Sequence, residues 1–94
     1  MNGMTPEYLR QLRNEIAWKD LFERLNWVHK NRDGRLVFQC PRCYETLTAV
    51  NDRTHLGRCF RCQENWNPID FAMEAGELEF KTAITLLAPL LKRG

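Results

Sequence analysis

Two Cys-x-x-Cys pairs separated by fifteen residues, short β-like runs confined to the middle of the chain and helical periodicity at both ends together predict an α+β fold, a zinc ribbon whose small antiparallel sheet is flanked by N-terminal and C-terminal helices. At 94 residues the chain is sized for a single domain, 1–94, with a helical part at 5–26, ribbon sheet and metal site at 27–66 and C-terminal helices at 67–92. A domain of this size buries a modest core and is expected to need a staple. The four cysteines are the candidates.

The first helix is announced by Thr5-Pro6-Glu7: a capping hydroxyl, a proline at the first helical position and a carboxylate to complement the positive end of the helix dipole. Leu9, Leu12 and Ile16, then Trp18, Leu21, Phe22 and Leu25, fit one or two helical segments with a change of phase near Ala17. Four β-like runs follow, at 27–30, 35–39, 46–50 and 55–60. Asn31-Arg32-Asp33-Gly34 and Asn51-Asp52-Arg53-Thr54 separate them, because Asn, Asp and Gly accept the backbone angles that turns require. Asn67-Pro68-Ile69-Asp70 opens a second helix, with Asn67 as cap and Asp70 placed for a capping box; it is expected to end at Gly76. A last helix from about Glu79 presents Phe80, Ile84, Leu87 and Leu91 on one face and is interrupted near Pro89.

Cys40-Pro-Arg-Cys43 and Cys59-Phe-Arg-Cys62 have the spacing of structural zinc sites. Each pair turns tightly enough to place two sulfurs on one ion, and the intervening residues are long enough for a hairpin that brings the pairs together. Four thiolates fill a tetrahedral Zn2+ and leave no position for water or substrate, so the metal is read as structural; iron accepts the same donors. A redox dithiol or a pair of disulfides is the competing reading. Tyr44 and Gln63 follow the two knuckles at positions where a left-handed backbone is expected and glycine is usual. His29 and His55 are read as strand residues, with His55 also a possible contact to a phosphate or base.

Formal net charge is +2, but it is unevenly spread. Between Trp27 and Cys62 stand seven basic residues against three acidic ones, while residues 1–26 balance at four and four. A zinc tetrathiolate contributes about −2 to the same segment. An anion-binding surface must therefore come from placing arginines on one face. Met1 to Arg10 contains no apolar run and no stretch is long enough for a membrane span, so a cytoplasmic protein without membrane contact is expected, a compartment where paired cysteines are metal ligands more often than disulfides.

From Thr5 to Leu87 the sequence resembles the N-terminal zinc-binding domain of bacterial DnaG-type primases, a CHC-type zinc finger. The resemblance is carried by Thr5-Pro6-Glu7, Lys30 to Gly34 before a strand, Cys40-Pro41, Arg58-Cys59-Phe60-Arg61-Cys62, Asn67-Pro68-Ile69-Asp70-Phe71 and Leu78-Glu79-Phe80. The chain departs from that family at Cys43, where histidine is usual, and in lacking a proline between Glu45 and Val50. The resemblance implies a domain that binds single-stranded template DNA while a separate polymerase domain performs nucleotidyl transfer. No Asp-x-Asp pair occurs in this chain, and a saturated zinc site cannot activate water, so a non-catalytic subunit working with a separately encoded primase, polymerase or helicase is expected.

Lys30, Arg32, Arg35, Arg53, Arg58 and Arg61 are the candidate phosphate contacts, with about five phosphates engaged. Trp66 is the candidate base contact, and Trp27, Tyr44 and Phe60 are the other aromatics within reach, although Phe38 and Phe60 are expected to pack against the helices. Two other functions compete: a protein-interaction adaptor docking a partner through Trp18, Trp27 or Trp66, and a redox or metal sensor built on the Cys-x-x-Cys pairs.

Overall fold

The computed structural model describes residues 5–91, so the outer limits expected for the domain at 1–4 and 92–94 lie outside the described residues. Thr5 caps the first helix as its sequence requires: its Oγ1 accepts the Tyr8 N–H at 3.1 Å, and α1 runs Pro6–Asn14. The phase change near Ala17 is a true break. Ala17 is extended, α2 begins at Trp18 and spans Trp18–Leu25, and Asn26 closes it in the left-handed conformation at φ 56°.

Five strands follow in chain order: β1 His29–Arg32, β2 Arg35–Phe38, β3 Thr48–Asn51, β4 Leu56–Cys59 and β5 Glu64–Trp66. They form one antiparallel meander, β1-β2-β3-β4-β5. The fifth strand, only three residues long, was not among the four expected runs. The β1–β2 hairpin turns through Asp33 and Gly34, both at positive φ, the pairing of residue types that two-residue hairpins favour. Asn51 organises the β3–β4 turn by accepting the N–H groups of Arg53 and Thr54 at 2.8 and 3.3 Å.

Helix α3, Pro68–Ala75, is capped by Asn67, whose Oδ1 accepts the Asp70 N–H at 2.8 Å. It ends at Gly76, as expected, but Gly76 keeps right-handed angles and the left-handed residue is Glu77 at φ 53°. The Leu78 N–H reaches the Met73 carbonyl and the Glu77 N–H reaches that of Glu74, the two-bond closure in which glycine would normally stand at position 77. Helix α4, Phe80–Leu87, gives way to a single 3-10 turn, Ala88–Leu90, around Pro89.

Strand alternation puts Phe38, Val50, Gly57 and Trp66 on the inner face of the sheet, where the helices cover them. The centre of this core is aromatic. Phe71 of α3 lies edge-on to Trp18, Phe22 and Phe38, with ring centroids 5.3–5.5 Å apart. Leu12 and Leu21 from the first two helices, Ile16 from the break between them and Leu87 from α4 are fully buried around it. Gly57 is glycine because the rings lie directly against β4: a Cβ there would stand 2.7 Å from Phe38 Cζ.

Candidate metal centre and basic sheet face

The β2–β3 connection carries the first cysteine pair and the β4–β5 connection the second, so the meander itself brings residues 40–43 beside 59–62. The four Sγ atoms lie within 4.8 Å of one another. Across the two knuckles, Cys40 and Cys62 approach to 3.7 Å and Cys43 and Cys59 to 3.6 Å. Sulfurs bound to one tetrahedral zinc at a Zn–S distance of about 2.3 Å stand about 3.8 Å apart, so the set fits the ion. All four cysteines are free thiols in the structure, and the close pairs join one knuckle to the other, so neither Cys-x-x-Cys closes on itself.

Each knuckle is built the same way. The Cys43 N–H donates to Cys40 Sγ and the Cys62 N–H to Cys59 Sγ, both at 3.4 Å, and the Arg42 N–H adds a further bond to Cys40 at 3.3 Å. The residue after each pair then turns left-handed: Tyr44 at φ 65° and Gln63 at φ 57°. Those amide donors favour thiolates, as a metal ligand requires. Burial pushes the Cys40 thiol up. Burial also acts on Cys59, but the Thr48 hydroxyl, the Cys62 N–H and the neighbouring thiols outweigh it and hold that group at about 6. Burial and the other three thiols push Cys62 up to about 12. One site thus gives up its proton readily, and others release theirs only to a cation that takes their place.

Arg42, in the first knuckle, ties the metal centre to the rest of the fold. Its guanidinium meets Glu64 of β5 at 3.0 Å and Glu74 of α3, while the second Glu74 oxygen accepts the Trp66 indole N–H at 3.0 Å. The hydrogen bond from Arg42 holds the Glu74 carboxyl below its usual range against the opposing effect of burial, and the Trp66 bond adds to it. At the opposite end of the sheet His55, left-handed at φ 61°, joins Ile16 and Trp18. His55 Nε2 lies 2.7 Å from the Ile16 carbonyl, and the His55 carbonyl accepts the Trp18 indole N–H at 3.0 Å. His29 stacks on Phe22 and bonds the Trp27 carbonyl. Both histidines therefore serve packing. The His55 ring is occupied within the fold and does not present itself to a phosphate or base.

The outer face of the sheet gathers part of the expected cationic set. The register places Lys30, Val37, Ala49, Arg58 and Asn65 in one row across five strands, with Arg32 opposite Arg35 beside it. Lys30, Arg32, Arg35 and Arg58 thus share one face. Arg53 sits instead in the β3–β4 turn and Arg61 in the second knuckle. None of these six makes an ion pair among the described residues, where carboxylate contacts go to Lys19 and Arg42.

Two aromatic assignments change. Trp66 is 2% exposed and its indole N–H is held by Glu74, so it is a core residue and offers no stacking surface. Phe60, expected inside, is 72% exposed, with the Arg58 guanidinium 5.1 Å from its ring centre. Cys59 must point inward to the metal, so its neighbour points out; that alternation was available in the sequence. The indole N–H groups of Trp18 and Trp27 are likewise spent on backbone carbonyls, those of His55 and Gln39. Of the three tryptophans expected to dock a partner, Trp18 and Trp66 are thus core residues, while Trp27 is half-buried.

The family model described as the CHC2 zinc finger, the DnaG zinc ribbon, matches residues 4–93. No curated protein and no solved structure matches the chain. Among the described residues no helix is long and apolar enough to cross a membrane.

Proposed function

The chain belongs to the CHC2 zinc-finger family, the zinc ribbon of DnaG-type primases, and from that membership we propose that it binds single-stranded DNA on the outer face of its sheet as a non-catalytic component of primer synthesis. The observation that supports this most is the grouping of Lys30, Arg32, Arg35 and Arg58 beside the exposed Phe60 ring, none of the four in an ion pair among the described residues. Cations spaced across a sheet follow a phosphate backbone, and an exposed ring stacks on a base whatever its identity. Zn2+ held by Cys40, Cys43, Cys59 and Cys62 supplies the fixed geometry of the two knuckles. With all four donors protein thiolates it leaves no site for a reacting group. Bond formation is then the work of a separately encoded primase or polymerase, or of a polymerase domain elsewhere, with a helicase as a further partner.

The test is a fluorescence titration of a labelled single-stranded oligonucleotide at several salt concentrations. Four phosphate contacts give a slope of about −2.8 in log affinity against log salt, and Arg58→Ala lowers its magnitude by about 0.7 without changing the circular dichroism spectrum. Absence of binding at low salt defeats the proposal.

A further inference from the structure

Beside the basic face, an open groove of about 320 Å³ lies between the β1–β2 hairpin and the loop at residues 46–47. Its aliphatic lining comes from Val28, Val37 and Leu47. Val28 and Leu47, 60% and 56% exposed, flank Gln39 at the end of β2, with Val37 two residues back along the same strand. Exposed aliphatic side chains facing one another across a concave surface are costly to leave in water and mark a binding site. Lys30 and Arg32 also line the groove, both on the outer face of the sheet that carries Arg35 and Arg58. These cations complement an anionic group on whatever occupies the groove.

Resting on the DNA-binding reading above, we propose that this groove receives one nucleobase of the bound strand, while Lys30 and Arg32 hold the flanking phosphates. A nucleotide has the required division into an anionic backbone and a flat, weakly polar ring. The Gln39 amide and the Thr46 hydroxyl, also lining the groove, supply a donor and an acceptor for the edge of that ring. An extended acidic peptide is the other candidate. The four-residue edge strand β1, with Lys30 and Arg32 side chains on it, is a poor template for strand addition, which favours the nucleotide. The groove and Phe60 are separated by two to three strand spacings, about 10–14 Å. At a stacked rise of 3.4 Å, a strand crossing the face therefore meets two base-contacting positions about three to four nucleotides apart.

The experiment compares the thymidine hexanucleotide dT6 with a hexamer of the same backbone lacking every base, each titrated against the zinc-loaded chain and its Leu47→Ser variant. Leu47 is exposed, so the variant is expected to keep its fold, and a circular dichroism spectrum checks that; Val28→Ser provides a second variant from the opposite wall. The expected result is weakening of dT6 binding by about fivefold or more, at the low end of what one base contact contributes, with the baseless hexamer unchanged. Equal weakening of both ligands, or no change in either, overturns the base subsite while leaving DNA binding itself standing. Failure of the unmodified chain to bind either hexamer defeats the parent reading, and this one with it. If Leu47→Ser leaves dT6 affinity intact but abolishes binding of an alternating Glu-Leu peptide, the groove belongs to a protein partner.

Discussion

Replacing Gly57 with alanine tests the packing of the sheet on its helices. The added methyl would meet Phe38 Cζ at 2.7 Å and Cε1 at 3.2 Å, with Trp18 Cη2 at 3.5 Å behind them. Comfortable carbon contacts begin at about 3.5 Å, so Phe38 would have to move by close to 1 Å. It has nowhere to go: it is 1% exposed, and Phe22, Phe71 and Trp18 lie 4.8, 5.3 and 6.0 Å from it, centre to centre. Overpacking of this kind costs about 2–3 kcal/mol. For a domain near 100 residues that is a fall in Tm of roughly 10–20 °C. Calorimetry of the zinc-loaded Gly57→Ala protein measures it, with metal content determined in parallel to show that the centre is still filled. The diagnostic step is the double variant with Phe38→Leu, which removes the colliding ring atoms. Its loss should be smaller than the sum of the two single losses by about 1–2 kcal/mol. Strict additivity, or an unchanged Tm for Gly57→Ala, would refute the close approach of ring and strand.

Three further outcomes follow from the metal centre and the helix ends. Cys59→Ser, or removal of zinc by a chelator, should unfold the ribbon, since a structural zinc contributes about 10–16 kcal/mol in small zinc-finger peptides; loss of the β signal in circular dichroism reports it. Zinc affinity should fall by at least about a hundredfold per unit of acidification near pH 7, because Cys40 and Cys62, both raised, must each shed a proton to bind; a competing chromophoric chelator measures this, and a flat profile contradicts it. Glu74→Gln should lower Tm at pH 7 in excess zinc: the depressed Glu74 pKa means its stabilisation is present above the ordinary carboxylate value of about 4.3 and fades as pH falls through the lower, folded value, so the gap between wild type and variant narrows in acid.

What the sequence revealed and what it hid divide along the range of the interactions involved. Thr5, Asn67 and the Asp33-Gly34 turn act within three residues of themselves, and they were readable because their chemistry is local. The cysteines were legible for a related reason: the donor set dictates its own geometry once the spacing allows it. Trp66 was misassigned because the side of the sheet a residue takes depends on register across strands, whereas the outward position of Phe60 follows from its place next to the ligand Cys59. The strand containing Trp66 is three residues long and carries Glu64 and Asn65, too short and polar to show a period of its own. Glu77 was missed for a different reason. The neighbouring Gly76 drew attention as the helix terminator, while the left-handed angle fell one residue later. The Arg42 contacts to Glu64 and Glu74 span twenty-two and thirty-two positions in sequence, and no pattern of spacing announces them.

The ribbon is fastened at both extremities, by thiols at one and by the Trp18–His55–Ile16 bonds at the other. A span held in this way has little slack, so a ligand settling on it meets a shape already set and spends little of its binding free energy on ordering the receptor. Arrival and departure then come under separate control. On the proposed function, the cations would govern how often a strand lands, and the apolar ring and groove how long it stays.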